Sequence, residues 1–120
     1  MELTNLADIK KLLLKNGIVL TKARGQNFII NPSVCPRMAE ECGAGKDDGV
    51  LEIGPGIGVL TAELAKVAGK VVSIELDSGL VPILSETLSN FDNVKIIEGD
   101  ALKLNLKEII EREFSGKKVF

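Results

Sequence analysis

From Gly49 to the end of this 120-residue chain, short apolar runs alternate with stretches of helical period, and the runs start about 22 residues apart. That rhythm is the tightest constraint on the fold. A strand that returns parallel to its predecessor needs a crossover of a dozen or more residues, and a helix fits that length. The runs predict strands near 50–54, 71–76, 94–99 and 117–120, with helices near 59–68, 79–90 and 106–114. Two runs, VVSIEL and VKIIEG, are rich in β-branched residues, as strands buried on both faces of a parallel sheet should be. Gly69 and Gly116 can end helices, and Asn105 with Glu108 resembles a capping box. The expected class is α/β, with the first four strands of a parallel sheet.

Two helices are expected ahead of that sheet. Leu6, Ile9, Leu12 and Leu13 recur at helical spacing, Asn5 can cap the start, Asp8 and Lys15 suit the dipole, and Gly17 can end the turn. Residues 18–30 lack a period and carry Gly25-Gln26-Asn27, so they read as an ordered surface loop. The second helix starts near Ser33, because Pro36 tolerates only the first helical positions. Val34, Cys35, Met38, Ala39 and Cys42 form its expected buried face, and Gly43-Ala44-Gly45 ends it.

With 45% apolar and 27% charged side chains the chain has the makeup of one ordinary globular domain. It has no apolar run near 18 residues and no charged leader, so neither a membrane span nor a secretory signal is expected, and the reading is cytosolic. Histidine is absent and no C-x-x-C occurs, which leaves a metal site almost no ligands; no metal is expected. Cys35 and Cys42 would lie roughly 10 Å apart on one helix, beyond disulfide reach, so both read as core thiols. A net charge of −2 is not the footprint of a stand-alone nucleic-acid binder. RNA contact would need a local patch, for which the candidates are Lys10, Lys11 and Lys15 on the first helix and Lys22 with Arg24 after it; solvated charge is the plainer reading.

Three residues stand at or just past the carboxyl ends of successive strands: Gly54, Glu75 and Asp100. In a parallel sheet those ends share one rim, and ligands bind there at the topological switch point. The first loop, Glu52-Ile53-Gly54-Pro55-Gly56-Ile57-Gly58, spaces its glycines two and two. A dinucleotide fingerprint would need glycine where Val59 stands, which disfavours a pyrophosphate cradle. What remains is a tight turn lacking Cβ at three points, open to a bulky phosphate-free ligand, or else a plain strand-to-helix turn. Glu75 can accept from a ribose diol, or be a surface acid; Asp77 nearby is the better helix cap. Asp100 can accept from the exocyclic amine of adenine while the Ala101 N–H donates to a ring nitrogen, or be an ordinary turn residue.

Two stretches narrow the fold to a family: Lys22-Ala-Arg-Gly-Gln-Asn-Phe28 with Ile29-Ile-Asn31, and the glycine loop with IEL and GDAL at their spacings. Together they resemble the KsgA/RsmA ribosomal RNA adenine dimethyltransferases along the whole chain. The resemblance implies a Rossmann-like S-adenosylmethionine-dependent methyltransferase fold. It implies N6 dimethylation of two adjacent adenosines near the 3′ end of 16S rRNA, in the immature small subunit. Carried over by position, the cofactor contacts would be Asn27, Ile29, Gly54, Glu75 and Asp100. Ile29 replaces the family's usual leucine and Asn31 its frequent aspartate. The alternative for Asn27, an ordinary loop cap, is disfavoured by the resemblance.

In that family an N-[LI]-P-Y-type segment after the fourth strand holds the target amine and stacks on the base. No such segment occurs in these 120 residues, so none of them is expected to be catalytic. The chain reads as the amino-terminal part of a cofactor-binding domain without its later strands or the family's C-terminal helical domain, and as inactive alone. The strand KKVF would then be an unpaired edge that invites self-association. Three other readings remain: the related Erm type acting on a 23S rRNA adenosine, a non-catalytic nucleic-acid-binding relative, and a nicotinamide-dependent oxidoreductase, which Val59 disfavours.

Overall fold

A computed structural model describes residues 6–15 and 34–120. The elements run α1 (Leu6–Lys15), α2 (Val34–Cys42), β1 (Gly49–Ile53), α3 (Val59–Val67), β2 (Lys70–Glu75), α4 (Val81–Thr87), β3 (Val94–Glu98) and α5 (Leu106–Phe114). The three strands form one parallel sheet in the order β1-β2-β3. Ile53 pairs with Ile74 and Glu75 with Glu98, so the strands end within a residue of one another.

Both faces of the sheet are covered, as is usual for a parallel sheet whose strands are apolar on both sides. On one face Val50 and Val71 pack with Leu64 and Ala65 of α3, with Ala68 at its C-cap and with Ala39 of α2. On the other, Val72 and Ile74 pack with Ile109 and Phe114 of α5. β2 is buried from Val71 through Glu75, as its β-branched run predicts. β3 is only half-buried, with Lys95 and Glu98 exposed, because no further strand lies outside it among the described residues.

The fourth strand is a correction. Residues 117–120 make a single parallel bridge, Gly49 to Val119, and the sheet has three strands rather than four. Gly49 N–H donates to the Lys118 carbonyl at 2.8 Å, Phe120 N–H to Gly49 at 2.9 Å and Leu51 N–H to Phe120 at 3.0 Å. Those bonds close one bridge and no second, so KKVF lies paired along β1 on one side instead of standing apart.

The buried face of α2 is narrower than its pattern suggests. Cys35 and Ala39 are buried and Cys42 is half-buried, but Met38 is 44% exposed. Ala39 and Cys42 reach the core shared with α3 and β1, and Met38 falls on the flank of that stripe. Both cysteines are free thiols. Helix α4 is shorter than the expected 79–90. The Asp77 carboxylate accepts from Gly79 N–H at 2.9 Å, making a turn, and the helix starts only after Leu80. Asp77 therefore caps a turn and not the helix. Asn105 does cap α5, accepting from Glu108 N–H at 3.1 Å, and Ser115 and Gly116 end it in left-handed conformations.

Gly69 joins α3 to β2 through a close backbone approach. Its N–H donates to the Asp48 carbonyl at 2.9 Å, and a Cβ there would stand 2.2 Å from the Lys46 carbonyl oxygen. Among the described residues no helix is long and apolar enough to cross a membrane.

Candidate functional site

Strand register brings Gly54, Glu75 and Asp100 to one rim. Gly54 N–H donates to the Ile74 carbonyl at 2.9 Å and Gly99 N–H to the Glu75 carbonyl at 2.8 Å, so each loop leaves its strand hydrogen-bonded to the neighbour. Gly54 adopts φ +72°, a conformation that costs an L-residue about 1–2 kcal/mol. A Cβ built on Gly54 would meet nothing within 4 Å, so the turn faces open space. Gly58 differs, being packed against Thr87 and Leu84 of α4. The first glycine thus serves the open rim and the third the packing of α3 on its neighbour.

Glu75 is buried yet lies beside that space, 6% exposed. One carboxylate oxygen accepts from Gly56 N–H at 3.3 Å and the other from Asp77 N–H at 2.9 Å. A carboxylate has about four lone-pair sites, so two backbone donors leave it capacity for a diol. Asp100 is half-buried, and one oxygen accepts from Leu102 N–H at 2.9 Å. No side-chain bond joins Asp100 to Glu75; the sheet alone brings them together. Asn27 and Ile29 lie outside the described residues, as do Lys22 and Arg24.

Sequence reasoning missed two features of this rim. The first is apolar: Ile53, Leu76 and Leu102, 55%, 69% and 95% exposed, each adjoin or follow closely one of the three rim residues. Flat apolar surface beside carboxylates suits a heteroaromatic ring with a polar edge. The signal was present, since IEL and GDAL each put a leucine next to a polar strand end. The second is Glu52, 9% exposed within β1, whose Oε1 accepts from Thr61 Oγ1 of α3 and from Ser73 Oγ of β2, the latter at 2.7 Å. Burial pushes the Glu52 carboxyl up from its ordinary range, against the lowering pull of the two hydroxyls, and nearby Glu75 adds to the rise. Thr61 and Ser73 were lone hydroxyls in apolar runs, which is how such a partner shows itself.

Open space in front of a left-handed glycine, a buried acceptor and exposed apolar side chains together fit an adenosine-containing ligand. The carrier of that ligand's identity is kinship. Residues 20–120 match the family model for ribosomal RNA adenine dimethylase. The chain is similar to the ribosomal RNA small subunit methyltransferase A of Shouchella clausii, 48% identical over 104 residues that cover 87% of this chain and 35% of that protein. The chain spans about a third of the length of the curated relatives it matches. Among solved structures it resembles the 23S rRNA methyltransferase ErmE, with TM-score 0.62 and 40% identity over 65% of this chain and 32% of that one. It also resembles an RNA methyltransferase from Salinibacter ruber in complex with S-adenosyl-L-homocysteine, with TM-score 0.56 and 26% identity over 62% of this chain and 52% of that one.

Proposed function

This chain belongs to the ribosomal RNA adenine dimethylase family, and from that membership we propose that it is the cofactor-binding part of an S-adenosylmethionine-dependent rRNA adenine-N6,N6-dimethyltransferase. Its substrate is a pair of adjacent adenosines near the 3′ end of 16S rRNA in the immature small subunit, and its place of work is the cytoplasm. The observation that carries the reading is the convergence of Gly54, Glu75 and Asp100 on one rim in a chain whose relatives are named ribosomal RNA small subunit methyltransferases.

S-adenosylmethionine supplies a methyl group on a sulfonium. The open turn at Gly54 accommodates its methionine end, Glu75 accepts from its ribose and Asp100 from its adenine amine, and the family resemblance adds Asn27 and Ile29 as cofactor contacts. The 120 residues contain no N-[LI]-P-Y-type segment to hold the target amine, so the chain is expected to bind cofactor and not to methylate alone. The outer side of residues 117–120 also supports self-association of the chain, which light scattering at high concentration tests: a monodisperse monomer removes it.

Calorimetry is the direct test of the site. S-adenosylhomocysteine binds and NAD does not, and Glu75→Gln weakens binding about 10- to 30-fold by removing the charge from a hydrogen-bonded diol. Binding of NAD in preference would sink the proposal. The 48% identity to a small-subunit enzyme favours that substrate over the 23S rRNA of ErmE. Methyl incorporation by the gene product carrying this chain into immature small subunits, and not into large ones, checks the choice.

A further inference from the structure

At the amino-terminal end of the same sheet, opposite the rim, the fold assembles a second polar feature. An open cleft of about 650 Å³ is lined by Lys70, Lys95, Lys117, Asn93, Asp92 and Glu113, among others. Lys70 opens β2 and Lys95 is the second residue of β3; both face α5, and Glu113 near the end of α5 stands between them. Lys95 Nζ bonds one Glu113 oxygen at 2.9 Å and Lys70 Nζ the other at 3.2 Å, while Arg112 Nε bonds Glu113 at 2.9 Å. Lys70 Nζ also bonds the Glu113 carbonyl at 2.7 Å. Lys117 is exposed and has no carboxylate partner among the described residues. Three lysines thus line the cleft together with the carboxylates of Glu113 and Asp92, and Arg112 bonds Glu113 beside it, in a chain whose net charge is −2.

One buried carboxylate cannot neutralise this group, but it does hold it in place. Glu113 ties Lys70 and Lys95 to one face, so much of the side-chain ordering that an anionic partner would otherwise impose is already done. Lys95 keeps two donors free and Lys117 three. The cleft has no aromatic residue on which a base could stack, and lysines read charge, not the planar edge of a base. Such a surface suits a phosphodiester backbone. It lies about 17 Å from the rim, the length of β2.

We propose that the Lys70–Lys95–Lys117 cleft is a docking site for the phosphate backbone of the substrate RNA, engaging a part of the RNA remote from the reacting nucleotide. The proposal rests on the reading of the chain as part of an RNA methyltransferase. The cleft adds a phosphate contact that the lysines of the first helix and of the loop after it did not foretell, because its residues are scattered from position 70 to 117.

The test is fluorescence anisotropy of a labelled small-subunit rRNA 3′ hairpin against the full gene product, across a salt series. Lys95→Ala with Lys117→Ala is expected to weaken binding about 10-fold at low salt and to make the slope of log K on log salt shallower by about 1.5. The pair Arg37→Ala with Lys66→Ala, two exposed cations outside the cleft, makes the same charge change elsewhere and is expected to stay within about 2-fold of the parent. Equal losses in both pairs, no loss in the cleft pair, or preference for an acidic protein over RNA would overturn the proposal. S-adenosylhomocysteine titration and a thermal midpoint on each variant separate the outcomes. Cofactor binding without RNA binding overturns the cleft and spares the methyltransferase reading. Cleft-dependent RNA binding without cofactor binding sustains the cleft and removes that reading.

Discussion

The two ends of the same three strands are built on opposite plans. At the carboxyl rim Gly54 faces open space, and the side-chain carboxylates of Glu75 and Asp100 accept from backbone N–H groups of their own and neighbouring loops. At the amino-terminal end, beside the open cleft, backbone and acid are both fastened. Gly69 is wedged on the Lys46 carbonyl, and Glu113, 7% exposed, takes bonds from three cations. One end leaves carboxylate capacity beside open space; the other uses its buried carboxylate, Glu113, to tie α5 to β2 and β3 and leaves ammonium donors open. A parallel α/β sheet therefore separates its ligand surface from part of its fastening along the length of its strands.

Glycine exchange breaks the comparison most sharply. Gly69→Ala must move a backbone carbonyl, and the expected cost is about 3 kcal/mol by denaturant titration, at the high end for overpacking, with cofactor affinity of the folded fraction unchanged. Gly54→Ala meets no neighbour, so only its φ of +72° is penalised, by about 1 kcal/mol. Its new methyl group enters the open space instead, and S-adenosylhomocysteine affinity should fall at least 10-fold. If Gly69→Ala loses cofactor at full stability, or Gly54→Ala unfolds the chain at full affinity, the two ends are not divided as described.

What could be read beforehand follows the same division. The rim was legible because each of its parts is contiguous: the glycine turn, IEL and GDAL each carry a strand end and its loop in a few adjacent residues. Alternation of apolar runs and helical stretches then sufficed to place those parts together. The opposite end was not legible, because Lys70, Lys95, Arg112 and Glu113 meet only through strand register and the placement of α5. Met38 was misassigned for a related reason, since periodicity marks an apolar stripe but not how much of it the neighbouring helix covers. KKVF had the composition of a strand, and its one bridge to Gly49 reflects ladder length, which composition does not encode.

A smaller effect tests the fastening at the amino-terminal end. Lys95 and Arg112, then Lys70, hold the Glu113 carboxyl down at about 2, against an ordinary 4.5. Because the folded state keeps the carboxylate ionised longer than the unfolded chain, the stability is fully present above pH 4.5 and is lost as pH falls toward 2. Glu113→Gln should cost about 1–2 kcal/mol at neutral pH, less than the full shift because Lys95 and Arg112 are half-exposed and screened. The variant and parent should converge in denaturation midpoint near pH 2. A difference that persists unchanged at pH 2 would mean that Glu113 acts by packing and not by charge.

The smallest effect has the opposite sign and belongs to the carboxyl half of β1. Burial raises the Glu52 carboxyl, so the folded chain keeps a proton that the unfolded chain gives up first. At low pH both forms are protonated and Glu52 is neutral in its effect; as pH rises past 4.5 the unfolded form ionises and wild-type stability declines until the raised folded value is reached. A glutamine cannot ionise, and its amide oxygen can still accept from Thr61 and Ser73. Glu52→Gln should therefore lie within about 1 kcal/mol of the parent in acid, any deficit there coming from its unpartnered amide N–H₂, and gain on the parent as pH rises toward neutral. Stability curves from pH 4 to 8 decide it. A variant that falls further behind as pH rises would show an ionised, well-partnered Glu52, and the rim would then hold a fastening of the kind found at the other end.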